Sequence, residues 1–144
     1  MSDLYAAIAS HLNDLCPAAS GVTSATSVAE VDSMVIGPVP TVVVIPAAES
    51  WTPPREVGLW ITVSGRLAFS CIVALTAPAG GEAWSEIRAQ LRAALLGWTP
   101  AEPEVAGPVE ARGARLLSYS AERGGRWLHA FDFTLPAQAS YGIQ

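Results

Sequence analysis

Residues 59–75 read LWITVSGRLAFSCIVAL, and no other stretch limits the possible folds as much. It is rich in β-branched, aromatic and aliphatic side chains and carries one charge, Arg66. Leu67, Phe69, Cys71, Val73 and Leu75 alternate with their neighbours, which puts them on one face of a sheet. Gly65 in mid-run signals a bulge or a hairpin turn. The passage is therefore one long bent strand or a hairpin. A second run, PTVVVIP (40–46), is β-branched without polar alternation and predicts a strand covered on both faces. Between the two, AAESWTPPREVG (47–58) reads as a loop by its prolines and charges.

Two main helices accompany these strands. Ser2 can cap a first helix running to about Leu15, with Leu4, Ile8, Leu12 and Leu15 as its apolar stripe. Pro17 ends it, because the residue before a proline is pushed out of helical geometry. The second, EAWSEIRAQLRAALLG (82–97), buries Trp84, Ile87, Leu91, Ala94 and Leu95. Gly97 suits the left-handed residue that closes a helix, and Pro100 prevents its continuation. Trp98 then folds back over the helix end. A short helical turn is also expected in SVAEVDSM (27–34), capped by Ser27 with Glu30 three residues on. TAPAGG (76–81) is a loop.

After a proline-rich acidic connector, TPAEPEVAGPVEARG (99–113), come ARLLSYSAE (114–122) and RWLHAFDFTLP (126–136), which flank a glycine-containing turn and predict a β-hairpin. Trp127, His129, Phe131, Phe133 and Leu135 share one face of the last strand; Arg126, Leu128, Ala130, Asp132 and Thr134 share the other. Residues 137–144 are expected to fray. The fold class that follows is α+β. A single domain over 1–144 holds a mixed or antiparallel sheet, two main helices packed on it and a C-terminal β-hairpin.

Charge excludes some roles. The net charge is −5, and all eight positive residues are arginines, scattered without a block that could track a phosphate backbone. Direct nucleic-acid binding is not expected. Charged residues make up only 15% of the chain, below the roughly 25% usual for soluble domains. That leaves weakly polar surface for partners and favours a homo-oligomer. The N-terminus lacks a basic signal-peptide region, and no apolar run approaches the ~20 residues of a membrane span. A soluble, intracellular chain with reduced cysteines is expected, without a membrane partner.

The chemical inventory is thin. His129 and Asp132 lie three apart in a strand and so point to opposite faces, which denies them a base-and-orienter role. Cys16 and Cys71 belong to no metal or redox spacing, and Cys71 reads as a small buried hydrophobe. The AGG before Glu82 lacks a phosphate-loop pattern, and two glutamates at that helix start would repel an anion. No catalytic residue, metal or cofactor is expected. Trp60, Trp84 and Trp127 read as core. Trp51, beside two prolines, reads as a contact residue, since tryptophan is enriched at interface centres. With Arg55 from the same segment and Glu102 and Glu104 from the connector, it makes up the candidate interface.

The order of these elements resembles the tail terminator, or tail completion, proteins of long-tailed bacteriophages and phage-like particles. The resemblance runs from about Leu4 to Leu135. It is carried by AALLGWTP, by GARLLSYSAERGGRWLHAFDF and by the P-T-x-x-V-x-P of Pro40 to Pro46. It implies a virion structural protein that assembles as a ring, commonly a hexamer, at the head-proximal end of the tail tube after assembly in the host cytoplasm. The ring stops tube polymerisation and presents the head-joining surface. The implied partners are copies of itself, the tail tube protein and the head connector or neck protein. Two alternatives are a head–tail connector or neck protein and, from another class, a small ligand-binding or hydrolytic domain.

Overall fold

A computed structural model describes residues 4–32, 40–76, 82–121 and 125–142. In chain order the elements are α1 (Leu4–Leu15), β1 (Gly21–Ser24), α2 (Val28–Asp32), β2 (Thr41–Trp51), β3 (Arg55–Val57), β4 (Trp60–Leu75), α3 (Glu82–Leu95), β5 (Glu110–Ser120) and β6 (Arg126–Gly142). The strands form one six-stranded sheet in the order β1-β2-β4-β6-β5, with β3 also paired to β4. Only β1 and β2 run parallel; the other pairs are antiparallel. The result is a mixed α+β sheet with a C-terminal hairpin of β5 and β6.

Period-two alternation divides the sheet's residues between two faces. The first carries Val42, Val44, Leu67, Phe69, Cys71, Val73, Leu75, Phe131, Phe133 and Leu135, and α1 and α3 cover it with Leu4, Ile8, Leu12, Trp84, Ile87, Leu91 and Leu95. Phe69 and Phe133 stack with ring centroids 5.4 Å apart, and Phe131 stacks on Phe133 at 4.6 Å. The second face has a smaller cluster of Val31, Val43, Ile45, Ile72, Ala74, Leu128 and Ala130. That distribution explains why PTVVVIP lacks alternation: Val42 to Ile45 are buried from both sides.

The α3 stripe is the expected one, while α1 departs from it at one position. Leu15 is 48% exposed, and Cys16, one residue beyond the helix, is buried instead. Gly97 has φ +81°, so it closes α3 as a left-handed residue. Trp98 then stacks flat on His11 of α1 at 3.7 Å, and His11 Nε2 lies 2.9 Å from the Ala94 carbonyl. One tryptophan thus joins the two helix ends. In α2 the Glu30 amide donates to Ser27 Oγ at 3.4 Å, while the Glu30 carboxylate accepts from Thr26. Those bonds hold the Glu30 carboxyl below its ordinary range. The buried Arg126 guanidinium donates to the Val31 carbonyl and ties α2 to the second face.

One open alternative is resolved, in favour of a single strand, and two expectations are corrected. Residues 59–75 are one strand from Trp60, and the hairpin turn falls earlier, at Gly58 and Leu59. Gly58 has φ +62° and Leu59 has no positive φ, the pattern of a II′ turn. Gly65 serves close approach instead: a Cβ there would lie 2.2 Å from the Ser50 carbonyl oxygen and 2.7 Å from the Trp51 ring. Second, 47–58 is mostly strand, because pairing with β4 recruits 47–51 and 55–57 despite the prolines, and Pro53 and Pro54 sit in the break. Third, residues 137–142 do not fray. They continue β6, and register with β4 runs from Leu75↔Trp127 to Trp60↔Gly142. The turn expected near 123–125 and the loop at 76–81 lie mostly outside the described residues, as do Ser2 and the last two residues, 143–144, of the tail expected to fray.

Candidate functional site

The strands are longer than the core that covers them. Along β4 the burial changes from complete at residues 69–75 to exposed or half-exposed at 60–66. Its partners follow suit, because β6 ends in exposed residues and β2 is exposed from Ala47 onward. The outcome is an open arm made of the end of β2, β3, the first half of β4 and the end of β6.

Large apolar side chains crowd this arm. Leu59 is 76% exposed, Tyr141 62%, Trp60 56% and Trp51 40%. Trp51 lies at the end of β2, with Nε1 donating to Glu49 Oε2 at 3.1 Å. Trp60 corrects an expectation, since it is not core. Alternation sets it on the face opposite Leu67 to Leu75, away from α1 and α3, where the smaller second cluster does not reach it.

Register sorts the arm's residues by face. Thr62↔Ser140 and Ser64↔Gln138 lie on the sheet's second face, opposite α1 and α3. With Thr52, Arg55 and Trp60 they line a groove of about 700 Å³. Among the described residues Arg55 is the only charged group lining it. Thr62 and Ser140 hydroxyls lie 3.3 Å apart, and Thr52 donates from its hydroxyl to the Ser64 carbonyl at 2.9 Å. Nearer the core, on the same face, a groove of about 410 Å³ is lined by Arg66, Arg112, Arg115, Ser70 and Asp132 among others. Asp132 accepts from Ser70 and, at 3.1 Å, from Arg115 Nε, while Arg66 pairs with Glu110. Four arginines scattered in the sequence thus gather along two adjoining grooves, and two of them already hold carboxylates.

Glu102 and Glu104 lie elsewhere. The connector runs beside β6, with the Gln138 amide donating to the Glu104 carbonyl and the Ala106 amide to the Pro136 carbonyl, each at 2.9 Å. Both glutamates are half-buried. The phenol of Tyr5, on α1, has its pKa raised by burial and then by the carboxylates of Glu49 and Glu104. Val105, which follows Glu104, bridges to Ala137 and packs against the helix-covered core. The four candidate residues are not one cluster: Trp51 and Arg55 belong to the arm, Glu102 and Glu104 to a turn beside it.

The remaining titratable groups are core features. His129 stacks on Trp84 at 4.5 Å, and its buried Nε2 has no hydrogen-bond partner. Burial lowers its pKa. Asp132 lies on the other face, as the strand period requires. Cys16 and Cys71 are free and buried, and burial pushes the Cys16 thiol up to about 11 and that of Cys71 further still. Such thiols are poor nucleophiles. Among the described residues no group of His, Cys, Asp and Glu could hold a metal ion, and no helix is long and apolar enough to cross a membrane.

Comparison with known proteins matches residues 1–139 to the family described as phage tail terminator protein. No curated protein matched the chain. The match spans nearly the whole sequence, and the chain belongs to the phage tail terminator family, a family of structural virion proteins.

Proposed function

We propose that this member of the tail terminator family caps the head-proximal end of the tail tube as a homo-oligomeric ring, with six subunits the expected number. In that position it stops tube polymerisation and presents the surface that joins the head. Capping is an act of occupation rather than chemistry, so the protein works by shape and contact. The observation that supports this reading is the open arm. A soluble subunit that carries Trp51, Leu59, Trp60 and Tyr141 beyond its core has apolar surface that neighbours would cover.

Loss of the gene tests the role directly. Electron microscopy of the resulting particles should show overlong tails or tails that never join heads. Tails of normal length that fail only at joining would overturn the capping role and favour a neck protein.

A further inference from the structure

The arm groove and the acidic connector have matching chemistry. The amide of Val105 donates to the Glu102 carbonyl at 3.1 Å, which closes a tight turn over Glu102-Pro103-Glu104-Val105. Pro103 occupies its second position, where the proline ring already holds the required φ, and it is exposed. The turn is pinned to β6 on both sides of Val105, and Gly107 lies so close to Pro136 that a Cβ there would come within 2.7 Å of its ring. It is therefore a preorganised knob made of a proline between two carboxylates.

The groove has the complementary groups. Trp60 supplies an exposed aromatic wall of the kind on which proline rings pack. Arg55 supplies a guanidinium for a carboxylate, and no acidic residue lines the groove to compete for it. Thr62, Ser64, Ser140 and Gln138 offer hydroxyls and an amide along its floor. The knob runs along the edge of β6 that faces away from β4, whereas the groove opens over β3, β4 and β6. No residue of the turn lines its own copy's groove. Each copy offers a knob in one direction and a socket in the other, the arrangement of a head-to-tail contact that repeats.

We propose that the groove of Arg55 and Trp60 receives the Glu102–Glu104 turn of a second copy of this chain. The inference rests on the ring reading above and assigns the surfaces through which neighbouring subunits meet. Assembly followed by light scattering over a range of concentrations tests it. Arg55→Glu should raise the concentration for half-assembly by about tenfold or more, and so should Glu102→Arg with Glu104→Arg. Joining both sets in one chain should bring it back to within about threefold of the parent. Urea unfolding of Arg55→Glu should match the parent, because Arg55 is exposed. Glu102→Gln with Glu104→Gln, which keeps the size of both side chains, should weaken assembly in the same direction without unfolding the turn. If the parent assembles and the charge variants assemble at the same concentration, or the combination fails to restore assembly, this contact is overturned and the ring reading stands. If the parent stays monomeric at every concentration and on purified tail tubes, the ring reading falls and takes the contact with it.

Discussion

The two ends of β4 are one strand in two environments. From Leu67 to Leu75 its neighbours are Phe133, Phe131, Val44 and the stripes of α1 and α3, and its odd-numbered side chains are wholly buried. From Trp60 to Arg66 the same ladder continues with the same partner, yet hydroxyls face hydroxyls and the tryptophan meets solvent. Backbone pairing is therefore not what distinguishes them. The covered end gains stability from burial, whereas the open end has its aromatics where only another molecule could bury them. Burial and exposure are separated along the length of one sheet.

The largest effect should come from the covered end. Phe69→Ala removes a fully buried ring stacked on Phe133 and should cost about 3–5 kcal/mol, read from urea unfolding. A loss below about 1 kcal/mol would mean that the two ends do not differ in the way described. At the junction, Gly65→Val puts side-chain atoms into the Ser50 carbonyl and the Trp51 ring. It should cost about 1–3 kcal/mol and, by parting β2 from β4, make residues 50–65 sensitive to limited proteolysis.

A smaller effect belongs to pH. Burial lowers the pKa of His129, so the folded protein binds this proton less readily than the unfolded chain does. Full stability is present above the ordinary histidine value of about 6.5 and declines as pH falls below it. The urea midpoint should therefore drop between neutral and mildly acid pH, and His129→Phe should flatten that slope. The smallest effect on folding is expected at the open end. Trp60→Ala should leave stability within about 0.5 kcal/mol while weakening assembly. A large loss of stability there would place the arm in the core's cooperative unit.

Much of the covered end was legible in the sequence. The α3 stripe, the shared face of Leu67 to Leu75 and the faces of the last strand all follow from side-chain period, because one buried face imposes one register. Gly97 was legible as a helix stop from its conformational freedom alone. The arm was not. Prolines at 46, 53 and 54 suppress a strand reading of 47–58, and the pairing that restores it is non-local. Trp60 is as apolar as a core aromatic, and its exposure follows from lying on the second face beyond that face's small cluster. Of the four candidate residues, Trp51 and Arg55 were legible as belonging to one segment, which the structure places on the arm. That Glu102 and Glu104 sit on a turn across β6 from the groove depends on backbone bonds that sequence spacing does not encode.

The β4–β6 ladder keeps one register from Leu75↔Trp127 to Trp60↔Gly142 without a bulge. A single inserted residue in either strand would exchange the two faces of everything beyond it, turning the socket toward the helices. Viable changes of arm length must therefore come as two residues in each strand together, about 7 Å at a time. The reach of the arm can evolve only in steps, and each step keeps the same side chains facing the same way.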